Sequence, residues 1–190
     1  MTTIKRTLAA ACCFALAIVA VHGQDSSSAS KLKVVKGPAT AKLGSIAQVE
    51  LPAGYVFLDG KATRAMLKDA GEPTSGQEVG FLRPTNGSWS VFFGFSDVGY
   101  VKDDDKDKLN PAKLLKEIKE GNYAANKERR RGGNPPLIIV GWEQEPRYNP
   151  ETHNLEWAIA ATVEGEPLLN YNTRVLGRKG VMEVVLVCDP

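Results

Sequence analysis

The chain predicts an α+β fold, an antiparallel β-sheet with a C-terminal β-meander and two main helices packed on it, and three observations predict it. Beyond Gly132-Gly133 four apolar runs, LIIVGWEQE, NLEWAIAATVE, LLNYNTRVLG and VMEVVLV, follow one another through short turns, and strands joined that tightly are antiparallel. Asn86-Gly87 is a hairpin signal, because both residues tolerate the positive φ of a two-residue turn. Residues 61–70 and 110–131 carry apolar side chains at helical spacing.

The elements follow in order. Lys5 and Arg6 precede an unbroken apolar run from Leu8 to Val21, and short residues around Gly23 suit a signal peptidase. Residues 1–23 therefore read as a secretory leader, the run being shorter than the roughly 20 residues that a membrane span needs. Residues 24–33 are Ser-rich and polar, a flexible tether with nothing to bury. Residues 34–190 read as one domain. KLGSIAQVELPAGYVFL gives two short strands broken at Leu51-Pro52-Ala53-Gly54. KATRAMLKDAG gives a short helix, with Gly71 suited to the left-handed residue after its end. Around Asn86-Gly87, Pro84 falls opposite Trp89, Arg83 opposite Ser90 and Leu82 opposite Val91, so like meets like. NPAKLLKEIKEGNYAANKERRR reads as a helix interrupted or bent near Gly121, with Leu114, Leu115, Ile118 and Ala125 on one side.

The meander can be argued further. Leu155, Trp157, Ile159, Ala161 and Val163 share one strand face, and Leu169, Tyr171, Thr173 and Val175 share another. A two-residue loop at Gly165-Glu166 would set Trp157 opposite Arg174 and mix core with solvent, so an odd-length loop such as Glu164-Gly165-Glu166 is expected. That register places Glu156 opposite Arg174, with Asn170 and Asn172 across from Ala160 and Ala158, a polar row over small residues. An Arg beside a carboxylate and two donor–acceptor amides could hold a ligand. The weightier reading is a cross-strand ion pair on a solvated face, or one covered by the 110–131 helix.

Charge and cysteine usage narrow the function. The chain has 24 Lys and Arg and 22 Asp and Glu. Losing Lys5 and Arg6 with the leader brings the two signs level, which removes the electrostatic case for nucleic acid. Cys12 and Cys13 leave with the leader, so Cys188 stands alone and no internal disulfide forms, as suits a bacterial envelope protein better than a secreted animal domain. Its apolar strand, VVLVC, makes it an inert thiol rather than a nucleophile. After the leader the only histidine is His153, in the turn NPETHN. That excludes multi-histidine metal sites, and none of the nucleophile-elbow, zincin, phosphate-loop or dinucleotide motifs occurs. No cofactor is implied. Paired carboxylates for glycosidic chemistry are a matter of three-dimensional spacing and stay open.

Two charged stretches remain. Asp103, Asp105 and Asp107 alternate as a cation loop would, but Lys108 stands where a calcium loop needs Gly and Leu114 where it needs Glu. Asn110 as N-cap and Pro111 at the first helical position make a strand-to-helix handover the stronger reading. Lys127 to Arg131 could meet an anionic partner through Arg129, Arg130 and Arg131, though such a run more often ends a helix in solvent.

LGSIAQVELPAGYVFL, DVGYVKDDDKDKL, ANKERRRGG, VGWEQEPRYNPETHNLEWAI and NYNTRVLGRKGVMEVVLV, in that order, resemble a bacterial family of uncharacterised, predicted membrane-anchored proteins, a domain of unknown function. The resemblance covers most of residues 40–188. It implies export and attachment to the cell envelope, through apolar segments downstream that this chain, ending at Asp189-Pro190, does not contain. No catalytic residues come with it. The expectation is a non-catalytic exported module that binds an envelope protein or ligand. Its rivals are a carboxylate hydrolase acting on an envelope polymer and a cation-dependent adhesion or sensor domain.

Overall fold

The computed structural model describes residues 2–3, 33–104 and 106–190. Apart from Thr2, Thr3 and Lys33, the expected leader and tether lie outside the described residues, as does Asp105. The fold is α+β. Eight strands form one antiparallel sheet in the order β2 (Val34–Lys36), β5 (Tyr55–Asp59), β6 (Glu78–Pro84), β7 (Ser90–Ser96), β12 (Val181–Cys188), β11 (Glu166–Leu176), β10 (Asn154–Val163) and β9 (Leu137–Asn149). β3 (Ala39–Leu43) and β4 (Ala47–Leu51) form a separate hairpin, and β1 (Thr2–Thr3) pairs in parallel with β8 (Val101–Lys102). Among the described residues the α-helices are α1 (Gly60–Asp69) and α2 (Pro111–Arg131).

Strand alternation divides the core into two. On the outer face Ala41, Leu43 and Leu51 of the hairpin pack on Phe57 and Leu82. Gly80 is required there, because a Cβ would run into the Phe57 ring and Leu43. On the inner face Leu58, Phe81, Phe92, Leu155, Ile159 and Val185 meet Leu67 of α1 and Leu114 and Ile118 of α2. The backbone of α1 lies against β5 and β6, and that of α2 against β9. The helices thus take the two flanks of the inner face.

Both helices begin and end as their sequences dictate. Asp59 accepts from Ala62 N–H at 2.8 Å and Asn110 from Lys113 N–H at 2.9 Å, each satisfying a first-turn donor. At the far ends Glu72 N–H donates to Leu67 O and Gly71 N–H to Lys68 O, while Asn134 N–H donates to Arg129 O and Gly133 N–H to Arg130 O. These are two Schellman closures, with Gly71 at φ +70° and Gly133 at φ +85°. They meet each other. Gly71 and Gly132 touch backbone to backbone, so that a Cβ on either would overlap the other's carbonyl. The side chains after the turns bind across the contact. Buried Arg129 forms an ion pair with buried Glu72, and Asn134 Nδ2 donates to Glu72 Oε1 at 3.0 Å and to Ala70 O at 2.7 Å.

β9 is an edge strand, and α2 closes part of its open edge. Leu137 is fully buried, and Asn126 pairs with it as a strand would: Asn126 Nδ2 donates to Leu137 O at 2.8 Å and Leu137 N–H donates to Asn126 Oδ1 at 2.9 Å. Lys119 Nζ covers Val140 O at 3.2 Å. Asn126→Leu orphans the buried Leu137 N–H and is expected to cost about 1–3 kcal/mol in denaturant unfolding. A loss below a few tenths would mean that water takes over that edge.

Several local expectations are corrected. α2 runs unbroken through Gly121. β2 and β3 join the two strands read before Asp59. The β6–β7 register is as expected, Leu82 opposite Val91, yet neither Asn86 nor Gly87 takes a positive φ. The β10–β11 connection is a two-residue turn after all, with Glu164 at φ 52° and Gly165 at φ 92°. The register is therefore one that the sequence reading rejected in kind: Trp157 faces Asn172, Ile159 faces Asn170 and Leu155 faces Arg174.

Candidate functional site

That turn sends the polar row inward. Asn170, Asn172 and Arg174 are all buried and share the inner face with Leu155, Trp157 and Ile159. Glu156 belongs to the opposite face, opposite Thr173, where it pairs with Arg147 at 3.1 Å instead of Arg174. The acid that does face Arg174 is Glu183 of β12, its register partner, at 3.4 Å. Glu183 is 0% exposed, and the Ser96 hydroxyl donates to its Oε1 at 2.7 Å. The Arg174 guanidinium also stacks over the Trp157 ring, 4.7 Å from its centroid. Opposite charges matched in this way leave the row electrically neutral, although each ion was expensive to desolvate.

One member of the row has no partner. Asn170 is 0% exposed, yet neither its Oδ1 nor its Nδ2 makes a hydrogen bond, and the Trp157 Nε1 on the neighbouring strand is likewise unpaired. Asn172 Nδ2 reaches only the Asn170 carbonyl of its own strand, at 3.1 Å. Across the sheet Asn170 faces Ile159 and Val187, where an apolar side chain would be the ordinary choice. The sequence reading missed Glu183, Ser96 and Trp157. Glu183 was legible in principle, since strand period puts it in line with Val181, Val185 and Val187 of an apolar strand.

Other predicted residues go elsewhere. Arg129 leaves the expected surface patch for its ion pair with Glu72, while Arg130 and Arg131 stay exposed and Arg131 binds Glu128. Asp107 lies exposed in a short 3-10 turn, Lys106–Lys108, and among the described residues no group of three His, Cys, Asp or Glu is placed to hold a metal. Cys188 is half-buried, and its thiol is pushed up by burial and then by Asp189.

Asp103 and His153 meet at Tyr148. The Tyr148 hydroxyl donates to Asp103 Oδ2 at 2.5 Å, and its oxygen lies 2.8 Å from His153 Nδ1. Having only one proton to give, the hydroxyl takes its second bond from a His153 Nδ1–H. Lys106 sits over the Tyr148 ring, 4.9 Å from the centroid, and 3.9 Å from Asp103. His153 itself is exposed, at φ 56° in the β9–β10 turn. This contact ties the strand-to-helix handover to the meander.

The contact fixes a pH signature. The Tyr148 bond, ahead of smaller backbone and Lys106 effects, holds the Asp103 carboxyl below its ordinary range, so its contribution is lost as pH falls through that lowered value. The same bond pushes the Tyr148 hydroxyl up to about 12, so that contribution is lost as pH rises through about 12. The stability difference between wild type and Tyr148→Phe should be widest between about pH 5 and 9 and close at both extremes. A difference that does not vary with pH would show that the hydroxyl is not bonded to the carboxylate.

Residues 35–190, from β2 to the end of the chain, match the family model described as a protein of unknown function, DUF2167. The chain belongs to that family. No curated protein and no solved structure matches it. The family match takes in all of the eight-stranded sheet but Val34, together with α1 and α2, the inner row included. Among the described residues no helix is long and apolar enough to cross a membrane.

Proposed function

We propose that this member of the family is an exported domain of the cell envelope that holds a partner and catalyses no reaction. The observation that carries the reading is Asn170, a fully buried carboxamide with both polar atoms unpaired among matched charges. A buried polar group left without partners is a standing cost to the fold, and such costs gather at functional sites. The apolar leader Leu8–Val21 supports export. A non-catalytic role is supported by the chemistry of the His153 cluster. There Tyr148 is made a weaker acid by Asp103, the opposite of what a nucleophile or proton donor needs. The test is cross-linking in intact cells with the full chain and its Asn170→Leu variant. A partner captured by wild type and lost with the variant supports the reading; equal capture by both overturns it.

A further inference from the structure

We infer that the outer face of strands β9 to β12 is an interface with a second copy of this chain, the two sheets packing face to face about a twofold axis. The inference concerns the face opposite the Asn170 row and does not rest on the role proposed above. Strand alternation puts Leu169, Tyr171 and Val175 of β11, Val184 and Leu186 of β12 and Ile138 of β9 on that face. The six join neither of the two apolar cores, and Tyr171 and Val175 are each 40% exposed and Ile138 53%. The other half of the same face is covered by the β3–β4 hairpin, which lies over β5 and β6. Among the described residues the half from β9 to β12 has no such cover, because Leu67 of α1 and Leu114 and Ile118 of α2 serve the inner core.

Size, charge and shape select a second copy as the occupant. Four strands about 4.8 Å apart and about eight residues long, at about 3.3 Å per residue, present roughly 500 Å². Two such faces together bury roughly 1,000 Å², the size at which a specific interface begins. In a chain of which 24% of residues are charged, the charged positions that the register places on this face are Glu156 and Arg147, and those two are bonded to each other at 3.1 Å. A twofold axis sets one patch against itself, so a neutral patch meets no like charge. Successive strands turn by about 20–25°, which makes the face a saddle. An identical sheet follows that saddle at the ordinary spacing of about 10 Å, whereas a flat lipid layer does not.

The test is analytical ultracentrifugation of the full chain over a range of concentrations. Wild type is expected to sediment at twice the mass of the chain. Tyr171→Lys sets an unpaired ammonium against the apolar face of the other copy, twice over, and should raise the dissociation constant about a hundredfold or more. Val175→Lys, further along the same strand, should act alike and serves if the Tyr171 variant fails to fold. Tyr123→Lys, 63% exposed on α2, should leave the dimer intact. The Cys188 thiol shares the outer face as the register partner of Leu169, so its alkylation, read on its own peptide by mass spectrometry, should be slower in wild type than in Tyr171→Lys. A wild type that stays monomeric to the highest soluble concentration overturns the inference, as does a dimer that survives both sheet lysines or is lost equally with Tyr123→Lys. Equal alkylation of Cys188 in dimer and variant also overturns it. So does a monomer that binds phosphatidylcholine vesicles and loses them with Tyr171→Lys, which gives the face to lipid.

Discussion

Arg129→Met is expected to lower the unfolding free energy by about 3–5 kcal/mol at neutral pH, because it strands a buried carboxylate. Glu72 sits between the carbonyl ends of two helices, where the dipoles disfavour a negative charge. Burial already pushes its carboxyl up, against the pull of Arg129. A folded value above the unfolded one means that this group's contribution is present below the ordinary carboxyl range and is lost as pH rises through the raised value. Without Arg129 the value rises further, so the variant should recover much of its loss in mild acid as Glu72 takes up a proton. Glu72→Met with Arg129→Met should also recover most of it, since two apolar side chains remove the uncompensated ion. Denaturant unfolding at pH 7 and pH 5 checks all three statements, and a single-variant loss under 1 kcal/mol would contradict them.

Gly71→Ala carries the next largest expected effect, about 2–4 kcal/mol. Part is the left-handed conformation at φ +70°, which costs an L residue about 1–2 kcal/mol. The remainder is overlap of the new Cβ with the backbone of Gly132, which has no flexible end to swing aside. Gly133→Ala makes the informative comparison. It shares the positive φ, but its Cβ would meet nothing within 4 Å, so it should bear only the first part. Equal losses at the two positions would mean that the helix ends separate readily.

Much of the fold was legible because it obeys simple periodicities. The four meander strands, the Asn110 cap, the role of Gly71 and the register of Leu82 with Val91 all follow from rules that act over a few residues. The buried polar row was not legible, and the reason is physical. Choosing the β10–β11 loop by segregating polar from apolar presumes that Asn170, Asn172 and Arg174 face water. Here they face the interior, and Glu164 accepts a left-handed conformation in the turn that directs them there. Arg129 was read as a helix-end cation because its partner, Glu72, is remote in sequence and adjacent only through the glycine contact. The Asp103–Tyr148–His153 contact was hidden likewise, since a strand end and a hairpin turn meet only in the folded chain.

That the middle of the inner face gives up stability for recognition is tested most directly by calorimetric unfolding of the full chain carrying Asn170→Leu. The branched shape is retained and two unpaired polar atoms disappear from a site between Ile159 and Val187. The midpoint should rise by about 4 °C or more, the equivalent of roughly 1 kcal/mol or more in a domain of this size. A fall of similar size would show that Asn170 already makes the bonds it needs and that the row is built for the fold alone.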